Sequence, residues 1–212
     1  MLRGGGSIAT SDLREKQFRS RPQALIVFVV DASESMGEGS LERMKAAKGA
    51  ILGLLTSAYQ NRDRVALVAF RGQRAQLLLS STSSVLLAQQ QLRKLAIGGA
   101  TPMADGLHQA WQLIRAERRK LPSLHPLLVV VSDGEANIPL VPGADVFREL
   151  SDLARQIARD RIAALVIDSR AGVGSPRLQQ LARNLGGRYR QIRDLHAGRL
   201  LEAVQAAGQD SF

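Results

Sequence analysis

Short, unbroken apolar runs alternate along this chain with longer segments in which apolar residues recur every three or four positions. Ala24-Leu-Ile-Val-Phe-Val-Val30 and Leu127-Leu-Val-Val-Val131 are continuous and rich in β-branched residues. That pattern predicts strands buried on both faces, as in a parallel sheet. Between them, residues 40–59 carry Leu41, Met44, Ala47, Ile51, Leu54 and Leu55 at helical spacing. Residues 64–70 and 75–79 read as two strands. Only Arg71-Gly-Gln-Arg74 links them, which is too short for a crossover, so they form a hairpin and one edge strand is antiparallel. Helices are expected over 84–95 and 102–119. A helix over 146–161 precedes a strand over 162–167, and a helix, strand and helix follow over 176–185, 188–191 and 195–207. The alternation predicts an α/β fold: a doubly wound, mostly parallel sheet with one antiparallel edge strand and helices on both faces. Residues 1–22 are glycine-rich at first and then basic. They read as a flexible N-terminal tail or linker with a docking role, and residues 23–212 as one domain.

Polar residues interrupt the two strongest strands at their ends. Asp31-Ala-Ser33-Glu-Ser35 follows the first, and Ser132-Asp133-Gly134 closes the second. In an open α/β sheet, ligands bind at the carboxyl ends of strands. Asp31, Ser33 and Ser35 alternate along an extended exit loop, so their oxygens can converge. One carboxylate and two hydroxyls suit a hard divalent cation such as Mg2+ or Mn2+. The same residues also suit an N-cap cluster, and the motif alone leaves both readings open. Gly98-Gly-Ala-Thr101-Pro102 is a loop running into a helix. Taken singly, Thr101 reads as an N-cap and Asp133 as a turn residue. Their joint occurrence with Asp31 at strand ends favours a metal site of Asp31, Ser33, Ser35, Thr101 and Asp133. Asp105 lies one helical turn after Thr101. It would orient the loop or a metal-bound water, or simply complement the helix dipole. Glu135 and Asn137 would contact a partner or shape the turn.

These segments resemble a known family. D-x-S-x-S, a distant Thr and an S-D-G Asp look like the metal-ion-dependent adhesion site of von Willebrand factor A domains. Phe28-Val-Val-Asp-Ala-Ser33, Arg43-Met-Lys-Ala-Ala-Lys-Gly-Ala50, residues 58–72, Gly98-Gly-Ala-Thr-Pro-Met-Ala-Asp-Gly106 and Ser132-Asp-Gly-Glu-Ala-Asn-Ile138 resemble the carboxy-terminal domain of the D subunit of magnesium chelatase. The resemblance covers about residues 8 to 207. That family inserts Mg2+ into protoporphyrin IX. The D subunit normally adds an N-terminal AAA+-like module and an acidic, proline-rich linker, neither of which this chain carries. Glu34 stands where Gly is usual. The resemblance implies a non-catalytic, metal-dependent interaction module that docks an AAA+ ATPase partner. The module would help a chelatase catalytic subunit insert Mg2+, or Co2+, into a tetrapyrrole. A general von Willebrand A adaptor for an unrelated AAA+ machine is the alternative.

Composition narrows the partners. The formal charge is +10 over 212 residues, which implies acidic partners. Nucleic acid is disfavoured because aromatics make up only 4% of the chain and mostly fall in strand or helix patterns. The family's acidic linker points instead to acidic protein segments. There is no cysteine, hence no disulfide, thiolate zinc site or catalytic thiol. No apolar run approaches the roughly 18 residues that would span a bilayer. Met1-Leu-Arg-Gly-Gly-Gly-Ser7 does not read as a signal peptide, and a cytoplasmic setting is expected. A nucleotide site is not expected without G-x-x-x-x-G-K-[ST] or G-x-G-x-x-G, nor a hydrolase site without G-x-S-x-G. His108, His125 and His196 show no ligand spacing. Asp31 as a phosphoryl-accepting nucleophile would want more acids beside it than the sequence supplies.

Overall fold

The computed structural model describes residues 23–33, 63–94, 98–170, 172–191 and 197–209, with helical positions 45, 48, 49, 52, 53 and 56. The predicted tail over 1–22 and most of the predicted helix over 40–59 lie outside the described residues. Six strands form one sheet: β1 Ala24–Asp31, β2 Arg64–Arg71, β3 Arg74–Thr82, β4 His125–Ser132, β5 Ala163–Asp168 and β6 Arg188–Gln191. Their order is β3-β2-β1-β4-β5-β6. β1, β2, β4, β5 and β6 pair in parallel, and the edge strand β3 pairs antiparallel with β2. The helices are α1 Val85–Arg93, α2 Met103–Lys120, α3 Val146–Arg159, α4 Pro176–Asn184 and α5 Ala197–Gln209.

Strand alternation divides the core into two layers. Phe28 and Val30 of β1 join Leu67, Val129, Val131 and Ile167 on one face, where Val204 and Ala207 of α5 and position 52 pack. Val27 and Val29 point the other way, toward Leu107 and Ile114 of α2, Ile157 of α3 and Leu178 of α4. Both faces of β1 are covered, which is why the sequence shows no polar alternation there. α2 sits especially close to the sheet. A Cβ on Gly106 would lie 2.8 Å from Phe70 Cδ1 and 3.2 Å from Val29 Cγ1.

Two of the boundaries that differ from the sequence pattern have local reasons. β3 runs to Thr82 rather than 79, because its register shifts against β2 around Leu67 and the irregularity hides the alternation. α3 stops at Arg159 rather than 161, where Arg161 takes a left-handed φ of 51° that no helix accommodates.

Candidate metal centre

The strand order reverses between β1 and β4, so the loops leaving these neighbours bound a crevice at the sheet's carboxyl edge. Asp31 ends β1 and is fully buried. The pairing of Val30 with Val131 brings it beside Ser132, the last residue of β4. Ser33 donates its amide and hydroxyl to Asp31 Oδ1, at 3.0 and 2.6 Å. Ser132 Oγ donates to Asp31 Oδ2 at 2.7 Å and accepts the Gly134 amide at 3.1 Å. Asp133 is buried, and its Oδ1 accepts the Glu135 amide at 3.0 Å. Gly134 turns the chain at φ +87°, in a space where a Cβ would strike Ser175 Oγ.

Thr101 is fully buried. Pro102, not Thr101, occupies the cap position of α2. The loop carrying Thr101 is tied to both neighbouring loops. Its amide donates to Asn137 Oδ1 at 2.7 Å, and the Asn137 amide returns to its carbonyl at 3.2 Å. The Gly98 amide donates to the Ala32 carbonyl at 2.8 Å. Asp31, Ser33, Thr101 and Asp133 therefore sit on three cross-linked loops at one edge of the sheet. Ser35 lies outside the described residues.

The electrostatics of this edge are unfavourable without a counter-charge. Burial pushes the Asp31 carboxyl up to about 6, and the Asp133 charge adds to the rise, against the lowering hydrogen bonds from Ser33 and Ser132. Among the described residues no basic side chain forms an ion pair with either acid. Nor, among the described residues, do three His, Asp or Glu side chains gather at one point. A cation here would draw on hydroxyls beside the two carboxylates. That all-oxygen donor set fits a hard ion such as Mg2+ or Mn2+.

The other expected residues divide by position. Asn137 pins Thr101. Glu135 pairs with Arg170 at 2.9 Å and Arg177 at 3.6 Å, half-exposed at the rim. The Asp105 carboxylate turns to the hairpin, accepting the Ala75 amide at 2.7 Å and approaching Gln109 Nε2 at 3.4 Å.

Three contributors escaped the sequence reading. Ser132 donates to Asp31 although it is written in the S-D-G motif itself. Arg170 Nε donates to the Asp133 carbonyl at 3.0 Å while its Nη2 holds Glu135. Asp168, fully buried at the end of β5, accepts the Arg170 amide at 2.8 Å, the Ser175 amide at 2.6 Å and the Tyr189 hydroxyl at 2.7 Å. Burial, and then the Asp168 carboxylate, push the Tyr189 hydroxyl up to about 12. The available signal was a third apolar run ending in an acid, Ala163 to Asp168.

The sequence model of the von Willebrand factor type A domain matches residues 26–135, just over half of the chain and the stretch from β1 through the S-D-G turn. The chain belongs to the von Willebrand factor type A domain family. A magnesium-chelatase 67 kDa subunit from Chlorobaculum parvum is 37% identical over 208 residues, covering 93% of this chain and 33% of that subunit. The chain thus spans about a third of the length of that relative. An uncharacterized protein of Methanocaldococcus jannaschii is 35% identical over 174 residues, covering 79% of this chain and 97% of that protein. Among solved structures, the manganese-loaded Plasmodium vivax TRAP protein superposes with a TM-score of 0.63 at 17% identity, over 88% of this chain and 73% of that one. That likeness shows the von Willebrand type A fold.

Proposed function

We propose that this von Willebrand type A domain binds Mg2+ or Mn2+ through Asp31, Ser33, Ser35, Thr101 and Asp133, and that the loaded site docks an AAA+ ATPase partner. The assembly would insert Mg2+, or Co2+, into a tetrapyrrole, with a separate chelatase catalytic subunit doing the chemistry. The observation that carries the reading is the burial of two acids and two hydroxyls on cross-tied loops at the point where the strand order reverses. The likeness to a subunit named for magnesium chelatase supplies the setting.

The residues act by holding charge in place. Asp31 and Asp133 bring two buried negative charges to the sheet edge. Ser33 and Thr101 contribute neutral oxygens, so the acids alone balance a divalent ion. Such an ion, when bound, supplies a centre that still attracts one carboxylate from a partner. The domain adds no catalytic group of its own. A cytoplasmic setting belongs to the same proposal. Among the described residues no helix is long and apolar enough to cross a membrane.

The test is a binding titration of the candidate ATPase subunit with Mg2+ or with chelator. Affinity should drop in chelator and with Asp133→Ala. Equal affinity under all three conditions would mean that the ion does not mediate docking. The chain covers nearly all of the M. jannaschii relative, so such a domain occurs outside the longer chelatase subunit, and the second reading is an adaptor for an unrelated AAA+ machine. Capture of an ATPase with no tetrapyrrole chelatase activity would select it.

A further inference from the structure

On the flank of α2 that faces the edge strand β3, the molecule carries an open groove of about 840 Å3. Its walls include Leu77 of β3 and His108, Gln112, Arg115 and Arg119 of α2. It begins at Asp105, one turn into the helix, and runs toward the C-terminus of α2, away from Thr101 and the metal centre. Asp105 and Gln109 line it as well, but both are committed to the strand. The Asp105 carboxylate takes the Ala75 amide at 2.7 Å, and Gln109 Nε2 donates to the Ala75 carbonyl at 2.8 Å.

Those two bonds reveal the direction of the edge. The backbone groups of Ala75 point away from β2 and are capped by α2. Ala75, Gln76 and Leu77 pair in unbroken register with Phe70, Ala69 and Val68. Outward-pointing groups recur every second residue in a strand. The amide and carbonyl of Leu77 therefore also face outward, over the groove. No helix side chain caps them among the described residues, and the Leu77 side chain is 44% exposed. An uncapped amide and carbonyl on a sheet edge form a template for another strand.

The charge of the groove selects the strand. Arg119 is exposed and makes no ion pair or hydrogen bond among the described residues. Arg115 is 56% exposed, stacks on Trp111 and approaches Asp160 only to 3.8 Å. Arg118, by contrast, is spent on the Asp160 and Arg161 carbonyls. Two guanidinium groups are thus presented beside an open strand edge. The residues before Gln23 include five basic and two acidic side chains, so the chain's own leading segment is the wrong sign for this groove.

We propose that an extended, acidic peptide segment of a partner adds to β3 in this groove, with main-chain hydrogen bonds at Leu77 and carboxylates on Arg115 and Arg119. From Asp105 to Arg119 the helix spans about 21 Å at ~1.5 Å per residue, which matches about six residues of strand at ~3.3 Å each. An acidic peptide fits better than a nucleic acid. It alone can use the strand edge, and no Phe, Tyr or Trp side chain lines the groove for base stacking among the described residues. This surface is separate from the metal centre and stands or falls independently of it.

The experiment is fluorescence anisotropy of the full chain with a labelled peptide of alternating glutamate and valine. A second peptide has alternate backbone amides N-methylated, and a single-stranded oligonucleotide matches the charge. Methylation should weaken binding roughly tenfold through lost main-chain bonds. Arg115→Glu combined with Arg119→Glu should weaken it on the order of tenfold or more. Chelator should leave it unchanged. Equal binding of the methylated and unmethylated peptides would overturn the proposal, and this arm needs no altered protein. So would peptide binding that vanishes in chelator, which would place the peptide on the metal centre. Oligonucleotide binding that exceeds peptide binding and is lost in the double variant would assign the groove to nucleic acid instead.

Discussion

Asp31→Asn should reverse its effect on stability according to whether metal is present. The substitution keeps the shape of the side chain and removes its charge. In the folded protein burial lifts the Asp31 carboxyl from 3.8 to about 6, so ionised Asp31 costs the metal-free fold about 3 kcal/mol near neutral pH. An amide escapes that cost. Its oxygen can still accept from the Ser33 amide and hydroxyl. Its nitrogen, however, faces Ser132 Oγ, which must then accept rather than donate and loses the use of its own proton. That mismatch costs about 1 kcal/mol. The net gain is about 2 kcal/mol, or roughly 4–8 °C in Tm for a domain of this size. The pH dependence follows from the raised pKa. Between about 4 and 6 the folded wild type holds a proton that the unfolded chain has released, so its metal-free stability falls as pH rises across that window and levels off above it. The advantage of the variant is therefore full above about pH 6 and gone below about pH 4. Saturating Mg2+ should invert the order, because ligand at a hundred times its Kd adds about 2.7 kcal/mol to the wild type alone. Below about pH 6 that gain should fade as protons compete for Asp31. Thermal melts in chelator and in Mg2+ from pH 4 to 8 read all three effects. A variant that melts lower than wild type in chelator at pH 8, or that keeps the full rise with Mg2+, would refute the reasoning.

Other perturbations probe the loops and the packing behind them. Asn137→Ala removes the acceptor of the Thr101 amide and should lower Mg2+ affinity by roughly 10- to 100-fold while leaving the fold intact, as calorimetric titration would show; unchanged affinity would mean that Thr101 is held by other contacts. Gly106→Ala forces a Cβ to within 2.8 Å of Phe70 Cδ1 and should cost about 1–3 kcal/mol in denaturant unfolding, and an unaltered midpoint would show that the helix can lift from the sheet without penalty.

Much of this architecture was legible in the residues. Buried parallel strands write themselves as continuous β-branched runs, because both of their faces must be apolar. The runs Ala24–Val30 and Leu127–Val131 were read as strands on that basis, and they form the bodies of β1 and β4. The four-residue link at Arg71 allowed only a hairpin, and β3 is indeed the antiparallel edge. Acids closing apolar runs drew attention to Asp31 and Asp133, although Asp168 closes β5 in the same way to anchor a loop. The sequence left three things open. Spacing along the chain does not say which strands are neighbours, so only the pairing of β1 with β4 reveals that Ser132 donates to Asp31 across 101 residues. The direction of a side chain on a helix depends on what packs against it, so Asp105 turned to the hairpin amide of Ala75. The ties from Asn137 to Thr101 and from Arg170 to the Asp133 carbonyl cross 36 and 37 residues. Local pattern reflects which face of an element is buried. The convergence of single polar atoms depends on long-range register, and that exists only once the sheet has formed.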